Sequence, residues 1–137
     1  MLSVQIRQVV LEELTAHARA ESPYECCGLL IGTTSRVESA IRARNLRASP
    51  SRYLIDPKDH LSAIRDTRST GYSVVGTYHS HPSSTALPSD RDLREATYTE
   101  YLYLIVSPGS GQQPTAETRA YRLVSGSFKF VSLVSIP

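Results

Sequence analysis

The chain has 137 residues, of which 40% are hydrophobic and 20% charged, and its formal net charge is +2. This length and composition predict one compact domain over residues 1–137 and exclude the apolar-poor, charge-rich balance of disordered chains. So small a net charge does not predict a nucleic-acid partner, which requires a concentrated basic surface.

The sequence has no feature of an exported or membrane-bound protein. Its N-terminal segment lacks a basic stretch followed by an apolar run, and no apolar stretch reaches the length that crosses a bilayer. Cys26 and Cys27 are neighbours in sequence, which is a poor arrangement for a disulfide bond between them. We therefore expect a cytoplasmic protein without a membrane partner, in which both cysteines are structural.

The first half of the chain predicts two helices and a hairpin. Apolar residues at four-residue intervals predict a helix over residues 6–20, with one face formed by Ile6, Val10, Leu14 and Ala18. Apolar runs predict strands at 28–32 and 37–43, joined by a turn at 33–35. Asp56 and Pro57 begin a second helix, which we expect to end near Gly71.

The second half predicts mainly strands. The β-branched and aromatic content of residues 73–79 indicates a strand that leads into a loop with Pro82 and Pro88. A helix start follows at Ser89, and further strands are predicted at 101–106, 117–124 and 127–134, with a loop at 107–114. The intermixed elements predict an α/β (α+β mixed) domain with a twisted mixed sheet packed between helices.

Several arginines fall within one short stretch of the first half, namely Arg36, Arg42, Arg44, Arg47 and Arg52. Such a cluster is compatible with an ordinary solvated surface and with a docking patch for an acidic partner. The sequence leaves both interpretations open.

The chemistry-bearing residues are concentrated between positions 79 and 92. His79 and His81 are two apart in a predicted strand, so their imidazoles point to the same face. Asp92 lies one helical turn after Ser89, and two imidazoles with one carboxylate are typical of a catalytic zinc site that keeps a fourth position open for water. Taken separately, the histidines also fit a surface pair, and Ser89 with Asp92 also fits a helix-capping box.

Glu25 and the run Cys-Gly-Leu-Leu-Ile-Gly that follows Cys26 precede this stretch. It reads His-Ser-His-Pro, and seven residues separate its second histidine from a Ser-x-x-Asp motif. The combination resembles the JAMM (MPN-plus) zinc metallopeptidases, over nearly the whole chain. The resemblance implies a cytidine-deaminase-like architecture, Zn²⁺ held by His79, His81 and Asp92, Glu25 as general acid/base, and Ser89 beside the reacting oxygen.

By the same resemblance, short single-domain members of the family process ubiquitin-like or sulfur-carrier proteins at a C-terminal Gly-Gly end, for example by removing a cysteine adduct. We expect such an extended tail to pair with a sheet edge. Two alternatives are open: a non-catalytic MPN-type interaction module, and a non-haem iron oxygenase, because two histidines and a carboxylate are also the ligands of that class. Glu25 and the Ser89 spacing favour the peptidase.

Overall fold

A computed structural model describes residues 3–109 and 115–137 of the chain. Within these ranges it contains three helices, α1 (Gln8–Glu21), α2 (Pro57–Thr67) and α3 (Asp90–Glu95). The strands in the same ranges are β1 (Ser3–Arg7), β2 (Cys27–Thr33), β3 (Arg36–Ala43), β4 (Ser73–Ser80), β5 (Leu102–Ser107), β6 (Glu117–Val124) and β7 (Ser127–Ile136). Residues 110–114 of the predicted 107–114 loop lie outside the described residues, and Ser107 belongs to β5.

The strands form one sheet in the order β1-β3-β2-β4-β5-β6-β7, and the predicted mixture of parallel and antiparallel strands is confirmed. The predicted β2–β3 hairpin is antiparallel, whereas β4 and β5 run parallel. The sheet closes into a barrel because β1 pairs in parallel with both β3 and β7. Of β3, only Arg36 and Val37 pair with β1, so the rest of β3 pairs with β2 alone. The expectation that a substrate tail pairs with a sheet edge stays a prediction.

Strand β1 is the element that the sequence pattern missed. The predicted helix over 6–20 begins only at Gln8, and Ile6 lies in β1. Ile6 is fully buried in the same cluster as Val10 and Leu14, so the apolar spacing of the helix continues by coincidence into the strand. The predicted strands elsewhere are confirmed to within two residues, and α2 ends at Thr67 rather than near Gly71.

The two faces of the sheet pack differently. One face, with α1, encloses the main core, in which Leu30 and Tyr78 meet the helix residues. The opposite face carries α2, with Ala63 and Thr67 buried, and a second, smaller core around Tyr103 and Ile105. Side chains alternate along a strand, so His79 shares the second face with Thr77 while Tyr78 points into the main core. No helix in the described ranges is long and apolar enough to span a membrane.

Close strand packing at β4 depends on a glycine. A Cβ atom at Gly76 would lie 2.1 Å from the carbonyl oxygen of Leu102 in the neighbouring strand β5. The clash would be with a backbone atom. That atom cannot move aside without disturbing the β4–β5 pairing, which also includes His79.

We predict that Gly76→Ala lowers the free energy of unfolding by about 2–3 kcal/mol because the added methyl group overpacks the β4–β5 pair. Gly71→Asn is the control, since Gly71 has a φ of 82° and open space around it, and asparagine tolerates that backbone region. Its expected loss is below about 1 kcal/mol. Urea denaturation of both variants measures the difference, and equal losses would contradict this account.

Candidate active site

Two histidines converge at the end of β4. The strand is held between β2, where Cys27 pairs with His79, and β5, where Ile105 pairs with His79. The backbone N–H of His81 donates to the Val106 carbonyl at 2.8 Å, which extends the ordered backbone past the strand end. The Nε2 atoms of His79 and His81 are 3.3 Å apart, as their spacing in the sequence predicted.

Asp92 completes the group from the short helix α3. Ser89 caps this helix: its hydroxyl oxygen accepts from the Asp92 N–H at 3.0 Å, and the Ser89 N–H donates to Asp92 Oδ2 at 2.9 Å. The same carboxylate reaches the histidines, with Oδ1 3.2 Å from His79 Nε2 and Oδ2 3.0 Å from His81 Nε2. The Asp92 carboxylate therefore completes the capping box and also contacts both histidines.

The three side chains are compatible with a metal site. Donor atoms at roughly 2.0–2.1 Å from an ion with tetrahedral angles are about 3.3 Å apart. The two Nε2 atoms are 3.3 Å apart, each lies within 3.2 Å of a different Asp92 oxygen, and one donor atom from each residue lies within 4.8 Å of the others. Nδ1 of His81 lies 2.9 Å from the Thr85 carbonyl oxygen, which only accepts, so Nδ1 carries the proton there. This contact orients the ring and directs Nε2 toward the other donors.

Burial and mutual contact set the protonation of the group. Burial lowers the pKa of His79 below its ordinary value, despite the opposing contact with Asp92. Burial also acts to raise the pKa of Asp92, but the hydrogen bonds with His79 and His81 outweigh it and hold that pKa well below its usual range. The aspartate is thus an anion and His79 a neutral imidazole, which are the forms that bind metal ions. Burial acts to lower the pKa of His81, but its contacts with Asp92 and Thr85 outweigh burial and raise that pKa above its ordinary value, so metal binding displaces a proton from this ring.

Glu25 lies beside this group in the segment that leads into β2. Its N–H donates to the Ser49 carbonyl at 2.9 Å, and its own carbonyl accepts from the Asn45 side-chain amide at 3.0 Å. Its Oε1 atom is buried and has no hydrogen-bond partner among the residues that the structure describes. Burial raises the pKa of Glu25 to about 7, with smaller effects of His81, which lowers it, and of Asp92, which raises it.

The structure therefore brings together four of the five residues that the sequence selected as chemical groups: His79, His81 and Asp92 in contact, and Glu25 within their electrostatic influence. The fifth, Ser89, is exposed and caps α3, with a hydroxyl hydrogen that the cap does not use. Its proposed place beside a reacting oxygen stays a prediction.

The remaining histidines and cysteines do not join the group. Nδ1 of His17 lies 2.7 Å from the Tyr78 hydroxyl, and Nε2 of His60 lies 2.9 Å from the Tyr101 hydroxyl. Cys26 and Cys27 are buried free thiols, and burial raises their pKa values to about 11 and about 12. They are poor nucleophiles at neutral pH, in line with the structural role expected for them.

Sequence reasoning missed two residues that support the site. The ring of Tyr53 stacks on His79, with centroids 4.3 Å apart and planes inclined by 15°. Asn45 ties the Glu25 carbonyl to the following segment, since its amide also donates to the Arg52 carbonyl and its oxygen accepts from the Leu54 N–H. Asn45 lies within the arginine-rich stretch and Tyr53 directly follows it, and no spacing or composition signal distinguishes either residue.

Comparison with known proteins agrees with this arrangement. The family model described as prokaryotic homologs of the JAB domain matches residues 7–124. The chain belongs to this family. It is 36% identical over 110 residues to a desampylase from Haloferax volcanii, covering 78% of this chain and 79% of that protein. It is also 34% identical over 124 residues to the CysO-cysteine peptidase of Mycobacterium bovis, covering 89% and 84% respectively.

A solved structure supports the same fold. The solution structure of a protein from Desulfitobacterium hafniense superposes with a TM-score of 0.87 and is 31% identical, covering 97% of this chain and 92% of that one. The JAMM/MPN-like fold implied by the sequence resemblance is thereby confirmed.

The raised pKa of Glu25 predicts a measurable effect on stability in chelator-treated protein. The folded-state pKa of about 7 exceeds the unfolded value near 4.3, so unfolding releases a proton between those two pH values. Stability from this group is complete below about pH 4 and falls as the pH rises through 7. Glu25→Gln has no such loss, so it should be more stable than the wild type by about 1–3 kcal/mol at pH 8 and by little at pH 4. Denaturation curves at both pH values test this; a difference that does not change with pH would contradict it.

Proposed function

We propose that this protein is a zinc-dependent peptidase that hydrolyses the peptide or isopeptide bond after the C-terminal Gly-Gly of a ubiquitin-like or sulfur-carrier protein. The observation that carries the proposal is the Glu25 carboxyl, whose buried Oε1 has no hydrogen-bond partner in the described ranges and whose pKa is influenced by His81 and Asp92 of the donor group. A buried carboxylate without a hydrogen bond costs stability, and such costs are typical of catalytic groups.

Zinc is the metal that suits this donor set. Two imidazole nitrogens and one carboxylate oxygen leave a fourth tetrahedral position open, which is the arrangement of catalytic rather than structural zinc. When bound, zinc lowers the pKa of a coordinated water to near 7 and polarises the carbonyl of the bond to be cleaved. His79, His81 and Asp92 would hold it, and Tyr53 would keep the His79 ring in place through their stacking.

Glu25 moves the protons of the reaction. It accepts a proton from the attacking water and then gives it to the nitrogen of the departing amine, so that the C–N bond breaks without an amide anion leaving. A carboxyl group works in both directions only if its pKa lies near the working pH, which the burial of Glu25 provides. This transfer is typically worth about 10² to 10⁴ in rate.

Ser89 stabilises the carbonyl oxygen as negative charge develops on it. Its oxygen is already held by the Asp92 N–H, so the hydroxyl hydrogen is free to donate outward from the start of α3. A single donor of this kind contributes roughly 10² to 10³ in rate.

The substrate class comes from the relatives. One is named for CysO-cysteine and the other is a desampylase, and a small carrier protein with an adduct at its C-terminus is the substrate that we propose for this chain. Glu25 also separates the peptidase from the two alternatives, because an iron oxygenase or an interaction module has no need of a buried proton carrier beside the donors.

The decisive test compares Glu25→Gln with His79→Ala. We expect Glu25→Gln to retain about one zinc per chain and to lose at least about 10²-fold in hydrolysis of a carrier ending in Gly-Gly-Cys, because only proton transfer is removed. We expect His79→Ala to lose both metal and activity, because a ligand is removed. Elemental analysis and mass spectrometry of the product provide the two measurements.

Glu12→Gln is the matched control, since this glutamate is exposed on α1 and lies outside the donor group. It should keep zinc and retain activity within about threefold of the wild type. Loss of a general acid or base would reduce the activity far more than this. Full activity in Glu25→Gln would remove the proposed base. Zinc retained at full occupancy in His79→Ala would remove the proposed ligand set.

The two roles of Ser89 can be separated by substitution. Ser89→Ala loses the cap and the hydroxyl, whereas Ser89→Asp keeps an acceptor at the cap position but has no donor. We expect both variants to lose roughly 10² to 10³ in kcat, and only the alanine variant to lose about 1 kcal/mol of stability. Normal kcat in Ser89→Asp would show that the residue is a cap alone.

A further inference from the structure

A pocket of about 270 Å³ lies beside the donor group, on the sheet face that carries His79. We call it the tyrosine pocket, because Tyr53, Tyr98 and Tyr103 are among its walls. The walls come from the end of the β3–α2 loop, the start of α2, strands β4 and β5, and the end of α3 with the residues that follow it. Its volume is below the roughly 300–1,000 Å³ of pockets that hold drug-sized ligands, so it suits a single side chain.

Three wall residues join the tyrosine pocket to the donor group. Tyr53 stacks on the His79 ring, with centroids 4.3 Å apart. Thr77 precedes His79 by two residues in β4, so its side chain points to the same face about 7 Å away. Glu95 follows Asp92 by three residues in α3. Burial has the largest influence on the pKa of His79, and the Glu95 charge has a smaller, opposing one. The pocket therefore borders the donor group directly.

The charged groups of the walls favour a cation. Glu95 supplies an exposed carboxylate, and the ion pairs among the described residues do not include it. No lysine or arginine is among the wall residues in the described ranges. His60 also lines the pocket, but burial lowers its pKa, so the ring is neutral at neutral pH. A cationic side chain would thus meet an attracting charge and no repelling one.

The tyrosine rings add a second attraction for a cation. One face of Tyr53 covers His79, and one face of Tyr98 covers Tyr101, with centroids 4.5 Å apart and planes inclined by 23°. The opposite face of each ring is not covered by these contacts, and both rings line the pocket. The face of an aromatic ring attracts a cation within about 6 Å of its centroid. Aromatic walls with one carboxylate are accordingly the chemistry that recognises a lysine or arginine side chain.

A Gly-Gly tail brings its first side chain to the right distance. In the proposed function the cleaved bond follows the second glycine, so the residue before Gly-Gly is the first of the tail that has a side chain. An extended chain advances about 3.3–3.6 Å per residue, which places this residue about 7 Å from the cleaved carbonyl. Thr77 lies at the same distance from His79 along β4. Glu25, which protonates the departing amine, is not a wall residue of this pocket, so the departing residue is not its occupant.

We propose that the tyrosine pocket binds a lysine or arginine side chain of the carrier tail, at the position immediately before Gly-Gly. This inference rests on the proposed function. The cation lies against the ring faces of Tyr53 and Tyr98 and pairs with the Glu95 carboxylate. Carriers with a cationic residue at this position are thereby preferred to carriers with a neutral one. The donor group cannot supply this discrimination, because it acts on the bond to be cleaved and not on the side chains of the tail.

The experiment compares carriers ending in Lys-Gly-Gly-Cys and Met-Gly-Gly-Cys, since methionine has a similar length and no charge. For the zinc-loaded wild type we expect kcat/KM to be about tenfold higher with lysine, as for one cation–π contact and one exposed ion pair. Glu95→Gln and Tyr98→Leu should each reduce this preference to about threefold or less. Tyr98→Phe keeps the ring face, and Glu12→Gln removes an exposed carboxylate of α1, so both should keep the preference.

A second pair of substrates tests which side of the cleaved bond the pocket serves. Both carriers have methionine before Gly-Gly, and they release either lysine or methionine. We expect their kcat/KM values to agree within about twofold, because the departing side chain does not enter the tyrosine pocket. A tenfold preference for departing lysine would overturn the assignment of the pocket to the tail.

A binding measurement tests the pocket without hydrolysis. The peptides acetyl-Lys-Gly-Gly and acetyl-Met-Gly-Gly have no bond after Gly-Gly to cleave. With the zinc-loaded protein, the lysine peptide should shift the backbone amide NMR signals of His60, Thr97 and Tyr98, and the methionine peptide should bind at least about fivefold more weakly. If the wild type cleaves no carrier but shows this binding, the proposed function fails and the pocket assignment stands. The assignment is overturned if the lysine and methionine forms react or bind equally in the wild type, or if Glu95→Gln and Tyr98→Leu keep the preference.

Discussion

The close approach of His79, His81 and Asp92 is the constraint on which the rest of the site depends. One donor atom from each of the three residues lies within 4.8 Å of the others, and each residue is held by a different restraint. Pairing of β4 with β2 and β5 fixes His79, the Thr85 carbonyl orients the His81 ring, and the cap of α3 fixes Asp92. Such preorganisation means that an ion entering the site needs little rearrangement of the chain.

Glu25 illustrates how function is obtained at the expense of stability. A carboxylate in a buried position without a hydrogen bond is unfavourable, and its protonation near neutral pH is the direct result. The surrounding backbone compensates: Ser49 and Asn45 hold the main chain of Glu25 while leaving its side chain unsatisfied. The loop between β3 and α2 is therefore part of the site, although it carries none of the motif residues.

The sequence predicted the chemical core of the site because that information is local. The spacing of His79 and His81 fixes a common strand face, and Ser89 with Asp92 forms a recognisable helix start. The closure of the sheet could not be predicted in this way. It depends on β1 pairing with β7, where Ser3 meets Ser132, and nothing near either residue encodes a contact so distant in the chain. The role of Tyr53 could not be predicted for the same reason. Its ring stacks on His79 only because the loop between β3 and α2 folds back over the site.

Helix α3 has six residues and buries none of them, so its persistence rests on the serine cap and on the histidines that hold the Asp92 carboxylate. The folding of this short helix is consequently coupled to the positioning of the Asp92 carboxylate beside the histidines. Whatever occupies the donor group also orders the backbone around residues 89–95, and slower amide hydrogen exchange there reports occupancy without any turnover.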